Sequence, residues 1–283
     1  SVSKFKSSTK TWSESKQMLG RRSHFDCAIF KDKVYLCGGY DGESELKTLE
    51  VFDTKTETYQ TLAPMKYARR SCAVVAFEGF LFVAGGSNGG NKLNILEKYS
   101  IEINQWQEVS PMKIKRSGLK LVEFNNKLYA LGGHDGNDCS KVVEIYDPDK
   151  DRWEFHSKMN NADGWFGAVS FDNKIYVVGS RTSEVYEQET NVWKEIPAPS
   201  PNCVGRSLVV FQEKLMVIGG RVRNFKRTKY ESISKQSFKT KYFNSISNVQ
   251  YYDTNKAAWI FEKNMRIPRC FHSTAVINDS LDS

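Results

Sequence analysis

Several signals that would mark a common class are missing from this 283-residue chain. No apolar run approaches the ~18 residues a membrane span needs, and no charged-then-apolar leader opens the sequence. The four histidines, His24, His134, His156 and His272, are scattered without metal-ligand spacing, and none lies near a candidate nucleophile in sequence. Six cysteines show no C-x-x-C pair and no dense framework; most sit in apolar strand patterns, where a free thiol packs as a small hydrophobe. That usage points to a reducing cytosolic or nuclear compartment. The composition offers no cofactor, metal or catalytic constellation. The chain begins at Ser1 rather than Met, in the middle of a pattern described next, so a longer or processed parent is expected.

What is present is a repeat. The glycine pairs Gly38-Gly39, Gly85-Gly86 and Gly132-Gly133 stand 47 residues apart; Gly179-Ser180 follows after another 47, and Gly219-Gly220 after 40. A second series checks the first. Phe5 precedes Trp12 by seven residues, and the same spacing joins Phe52 to Tyr59, Tyr99 to Trp106, Tyr146 to Trp153, Tyr186 to Trp193 and Tyr252 to Trp259. Six such pairs indicate six copies. A period in the 40–50 range, with one strand set and one aromatic signature per copy, marks a radial or stacked repeat protein. Six copies fill nearly the whole chain, so residues 1–283 are expected to form one domain.

Each copy reads as four short strands. An apolar run such as Cys72 to Phe77 is followed by a tight turn, Asn125-Asn126 or Asp172-Asn173 for example, and by a second apolar run into the glycines. Near-continuous apolarity in both runs means burial on both faces. The third strand alternates, as in Leu49-Glu50-Val51-Phe52, and a polar turn leads to the outermost strand at the Trp. The seven-residue spacing lets the two aromatics face each other across that hairpin. The glycines are expected to leave room for neighbouring rings. Glu50, Glu97, Glu144 and Glu184 recur two residues before the aromatic, which marks a structural role.

A double glycine, then an aromatic, then a Trp near the end of each unit resembles the kelch repeat, and the likeness covers essentially the entire chain. The resemblance implies an all-β, six-bladed kelch β-propeller with four-stranded antiparallel blades and a ring closed by strands from both termini. Ser1 to Lys16 would supply the third and fourth strands of the closing blade, and Arg269 to Ile277 its first. The closing blade lacks a recognisable second strand and double glycine.

The resemblance also implies that inter-blade loops and the loops between second and third strands emerge on one face. The former carry Arg21, Arg22, Arg69, Arg70, Lys115, Arg116, Trp165, Phe166, Arg206 and Arg269. Arg and Trp are enriched in interface hot spots, and a ring of Arg suits carboxylates. Charge reversal at Arg69, Arg116 and Arg206 together is therefore expected to abolish partner capture and spare the fold. The latter loops bring Tyr40 and His134. In the fifth full unit the corresponding loop is an insertion at 221–247, where eight cations, among them Arg223, Lys226, Arg227 and Lys229, face Glu231 alone; it holds +7 of the net charge of +8. Aromatics interleave with these cations, and a loop of that length is either functional or disordered. No nucleic-acid motif accompanies it. The family resemblance implies a protein-binding module without cofactor. Its partner would be an acidic peptide or degron in a BTB-kelch ubiquitin ligase adaptor, with an upstream domain holding the cullin, or alternatively an actin filament. An enzyme, as some propellers are, is the remote third. The expected location is cytoplasmic or cytoskeleton-associated.

Overall fold

The structure is a computed structural model and describes residues 2–6, 8–9, 11–161, 164–225, 241–269 and 273–276. It contains strands and no helix among them. Five four-stranded antiparallel blades follow one another in chain order. Blade 1 comprises Asp26–Phe30, Lys33–Cys37, Leu49–Asp53 and Thr58–Leu62; blade 2 comprises Ala73–Phe77, Phe80–Ala84, Leu96–Ser100 and Gln105–Val109. Blade 3 is built from Lys120–Phe124, Lys127–Leu131, Val143–Asp147 and Arg152–Phe155, and blade 4 from Gly167–Phe171, Lys174–Val178, Ser183–Glu187 and Val192–Ile196. Blade 5 has Ser207–Phe211, Lys214–Ile218, Lys241–Asp253 and Ala258–Arg269. The N-terminal hairpin, Val2–Lys6 with Thr11–Ser15, stands in the sixth sector.

The first turn of each blade is a two-residue hairpin connection. In blades 2 to 5 both turn residues have positive φ: Glu78-Gly79, Asn125-Asn126, Asp172-Asn173 and Gln212-Glu213. That geometry matches the right-handed twist of the flanking strands. First strands of adjacent blades lie side by side around the axis, and the apolar cores form between blades rather than within them. One such layer joins Tyr35 and Leu49 of blade 1 to Leu81 and Tyr99 of blade 2; another joins Phe82 and Leu96 to Leu128 and Tyr146. Cys37, Cys72 and Cys203 are buried in this packing, whereas Cys139 is exposed. Burial pushes the Cys72 thiol up to about 12, which suits a packing role and no reactive one.

The paired aromatics oppose each other in all six third-to-fourth-strand hairpins, Phe5 to Trp12 through Tyr252 to Trp259. Their ring centroids are 4.6 Å apart in blade 1 and 5.2 Å in blade 5. The ring nitrogens do more than cross-strand packing predicts. The indoles of Trp106, Trp153, Trp193 and Trp259 donate to the carbonyls of Ala63, Ser110, Ser157 and Pro197, at 2.6, 2.7, 3.1 and 2.7 Å, each on the preceding blade or just beyond it. Tyr59, at the Trp position of blade 1, donates its hydroxyl to Lys16 O at 3.3 Å. Lys16 follows the N-terminal hairpin, so this bond places the hairpin before blade 1 in the ring.

Two expectations need correction. Arg269 ends the fourth strand of blade 5 instead of opening a first strand, and residues 273–276 are irregular; residues 270–272 and 277–283 lie outside the described residues. The sixth sector therefore shows two strands among the described residues, against four in each other blade. The insertion is also partly built: Arg221–Phe225 pairs antiparallel with Lys241–Phe243, Asn244 and Ser245, and Cys203–Val204 adds to the same ladder. Its two arms extend the blade 5 sheet by strand pairing, a backbone ladder that loop composition does not reveal. Residues 226–240 lie outside the described residues.

Replacing Trp106 by Phe keeps the ring and removes the indole donor to Ala63 O. A stability loss of about 1 kcal/mol is expected, because the half-buried carbonyl of Ala63 loses a partner. Chemical denaturation of the two proteins checks it; equal midpoints would remove the inter-blade role of the indole.

Candidate protein-binding face

Backbone pairing shows which loops share a face. Ser23 pairs with Tyr40, Arg70 with Ser87 and Ser117 with His134, each joining an inter-blade loop to the loop between second and third strands. The Cys203–Val204 pairing to Arg221 and Val222 repeats this in blade 5, so the base of the basic arm belongs to the same face.

At the centre of that face the inter-blade loops are linked head to tail. Ser71 N–H donates to His24 O at 2.7 Å, Gly118 to Ser71 at 2.8 Å, Trp165 to Gly118 at 2.9 Å and Gly205 to Trp165 at 2.8 Å. All five residues have positive φ, from 51° at Ser71 to 67° at Gly205. Left-handed backbone turns each loop so that its amide meets the neighbour's carbonyl. At Gly118 only glycine fits, because a Cβ would stand 3.0 Å from the Trp165 ring that lies over it.

Outside this belt, an arginine fastens blade 1 to blade 2 and another fastens blade 2 to blade 3. The carbonyl of Arg69 accepts the Gly39 amide at 2.9 Å and its own amide donates to Leu46 O at 3.0 Å, both on blade 1. Its guanidinium turns the other way, into blade 2, where it donates to Gly85 O at 3.1 Å, Ile95 O at 3.2 Å and the Glu97 carboxylate. Arg116 repeats the arrangement between blades 2 and 3, with Gly132 O at 3.0 Å, Val142 O at 2.7 Å and Glu144 at 2.8 Å. Arg22 bonds Gly38 O at 3.2 Å and pairs with Glu50. Burial holds the Arg116 guanidinium below its ordinary value, and the Glu144 charge opposes that shift. The carboxylates also cap loop amides: Glu97 accepts Lys66 N–H at 2.7 Å, and Glu144 accepts Lys113 N–H at 2.6 Å.

The glycine pairs make room for this fastening. A Cβ on Gly38 would fall 2.5 Å from Arg69 O, and one on Gly85 2.5 Å from Arg116 O. The space expected for rings is thus filled chiefly by the next loop's backbone; a ring, that of Phe166, fills it only at Gly132.

The expected circle of channel-facing arginines does not form. Arg69 and Arg116 are 0% exposed, and Arg206 is 3% exposed. Arg206 is also out of register, standing beside Gly205 of the belt where Phe25, Cys72, Leu119 and Phe166 stand in other blades, and it donates to Pro199 O at 3.0 Å and to Pro201 O. Phe166 is buried. Arg269 reaches Ser3 Oγ at 2.8 Å, and its carbonyl accepts Gly220 N–H at 2.8 Å, the same fastening at the sixth sector. In blade 4 the Glu184 carboxylate is held instead by Asn160 and Asn161 amides at 2.8 Å. Guanidiniums buried and bonded inside the fold are not available to a partner, so the triple reversal at Arg69, Arg116 and Arg206 would break the ring.

What the face does present is smaller. Arg21 and Lys115 are exposed, and Arg70, Tyr40, His134 and Trp165 are half-buried. Arg70 lies 5.0 Å over the Tyr40 ring and 3.5 Å from Glu45. The Trp165 and His134 rings are 6.1 Å apart. Arg223 lies in the arm strand, and Lys226, Arg227 and Lys229 fall outside the described residues. Two residues that sequence reading missed, Asp26 and Lys120, meet across the channel, with Lys120 Nζ 3.1 Å from both Asp26 oxygens. Their signal was available: they occupy the same first-strand position two repeats apart. With His24, Ser71 and Trp165 they line a cavity of about 50 Å³ at the channel mouth, room for a few waters and well short of a metabolite pocket. Among the described residues no cluster of three or more His, Cys, Asp or Glu side chains could hold a metal.

Blades arranged this way define a β-propeller that offers one loop-built face. Two family models identify which kind: the KLHDC2/KLHL20/DRC7 Kelch-repeats domain matches residues 1–133 and the Kelch motif residues 115–160. The chain belongs to the kelch-repeat propeller family. It is similar to the solved structure titled "Structure of YjhT", with 17% identity, a TM-score of 0.77, and coverage of 92% of this chain and 88% of that one, a likeness of fold. No curated protein matches the chain.

Substituting Glu144 by Gln leaves the Arg116 charge buried without its counterion. The expected cost is about 3–5 kcal/mol, read as a lowered denaturation midpoint. An unchanged midpoint would return Arg116 to the list of free cations.

Proposed function

We propose that this propeller is a non-catalytic protein-binding domain that captures its partner on the face carrying the channel mouth. The observation that carries the reading is the division of labour among its cations. Arg22, Arg69 and Arg116 are consumed by fastening, while Arg21, Arg70 and Lys115 remain at the surface beside Tyr40, Trp165 and His134. The mouth cavity is too small for a metabolite, which favours a macromolecule resting on the loops. Cations and half-buried aromatics are the residue types that anchor protein interfaces.

The partner segment is acidic, and the specific role is substrate recognition in a BTB-kelch-type cullin ubiquitin ligase adaptor, with the BTB domain carried elsewhere in the polypeptide. The paired arm at Arg221–Phe225 and Lys241–Ser245 supports a second reading, binding to an actin filament, because it extends a strongly basic, aromatic-rich insertion from the same face.

Charge reversal at Arg21, Arg70 and Lys115 together should abolish capture while leaving the circular dichroism spectrum as in the wild type and the melting curve cooperative, since the ion pair lost among the described residues, Arg70 to Glu45 at 3.5 Å, is partly exposed. Affinity purification with quantitative mass spectrometry, using an Asp149→Ala control, reads the outcome. Partners retained by the triple variant would reject this face. Co-sedimentation with filamentous actin separates the two roles: pelleting that depends on residues 226–240 favours the filament.

A further inference from the structure

The six sectors are not fastened equally. Leu81, Leu128, Ile175 and Leu215 are each at most 2% exposed in blades 2 to 5, but Val34, at the same second-strand position of blade 1, is only half-buried. Phe52 is half-buried too, where Tyr99, Tyr146 and Tyr186 are at most 2% exposed. Both side chains belong to blade 1, on the seam toward the N-terminal hairpin. Arg69 and Arg116 bond the preceding blade through their backbone; among the described residues the Arg22 amide and carbonyl make no such bond. Among the described residues, what crosses this seam is Tyr59 hydroxyl to Lys16 O at 3.3 Å and an exposed Lys4–Glu57 pair at 3.5 Å.

A clasp compensates at the channel. Ser273 Oγ donates to Asp26 Oδ1 at 2.9 Å and accepts the Cys27 amide at 3.1 Å. Asp26 is also held by Lys120 from blade 3 and by the Val74 amide of blade 2 at 3.4 Å. The segment after blade 5 is thereby fixed to the first strand of blade 1, and Asp26 ties it to blades 2 and 3.

We propose that the ring opens at a single seam, between the N-terminal hairpin and blade 1, and that Ser273 on Asp26 is the clasp that keeps it shut. Opening separates the half-buried Val34 and Phe52 from the hairpin and leaves blades 2 to 4 intact, because the seams between them keep their indole bonds and fully buried apolar layers, with the Arg116 latch added between blades 2 and 3. The stretch Lys16–Arg21, exposed except at the half-buried Met18 and with open space around Gly20, lets the hairpin move relative to blade 1 without straining the backbone.

Hydrogen exchange of the intact chain, read by mass spectrometry, tests this. In the wild type, amides of Val2–Ser15 should exchange about ten-fold faster than those of the equivalent third and fourth strands in blades 2 and 3. Ser273→Ala should accelerate Val2–Ser15 and the Cys27 amide further, with blades 3 and 4 at wild-type rates. Asp26→Asn, which keeps the shape and removes the charge, should do the same. Equal protection of all sectors in the wild type, or acceleration spread evenly over every blade in both variants, would overturn the proposal.

Discussion

A propeller blade cannot bury its own apolar surfaces, so everything in this fold depends on what holds one blade against the next. Here that task falls to an arginine whose backbone belongs to one blade and whose guanidinium belongs to the following one. Arg69 and Arg116 each bond the preceding blade through N–H and C=O, then insert a charged fork into carbonyls and a glutamate of the next. The ion pair is buried, and a buried charge is tolerated only when its donors are satisfied. Carbonyls at the end of the second strand and before the third meet that demand for one terminal nitrogen and the glutamate for the other, and the glycines allow the approach. The repeated Gly-Gly, Arg and Glu positions are thus parts of one device.

The same device explains why the charge of the face cannot be read from a count of loop arginines. Fastening removes some of these cations from the surface and leaves others, and the two kinds stand next to each other in sequence: Arg69 beside Arg70, Lys115 beside Arg116. Which of the two turns inward is set by the backbone pairing of Arg70 with Ser87, which fixes the register of the loop. The second set of seam bonds, from the indoles, acts at the outer strands, so blades 2 and 3 are each held near the axis, at mid-radius and at the periphery. Stability of this kind is shared among neighbours, as in other repeat architectures.

Departures from the repeat are informative for the same reason. Blade 5 has Gln250 where the others have glutamate, and its Arg206 donates to the carbonyls of Pro199 and Pro201. The sixth sector uses Arg269 with the Ser3 hydroxyl. Both substitutions lie at the closing side of the ring, where the chain must join its two ends without the full set of strands seen elsewhere.

Much of the architecture was legible in the residues because it is periodic. Spacing of 47 between glycine pairs and of seven between aromatics is enough to give the number of sectors, the hairpin that opposes each aromatic pair, and the structural standing of Glu50, Glu97, Glu144 and Glu184. Local chemistry sets these features: turn residues, apolar runs and alternation act over a few positions. The direction of each arginine, the fastening function of the indoles, the strand pairing at the base of the insertion and the meeting of Asp26 with Lys120 were not legible. Each depends on a partner one or more blades away, and a guanidinium chooses between solvent and a buried carboxylate only once the neighbouring blade has brought that carboxylate within reach.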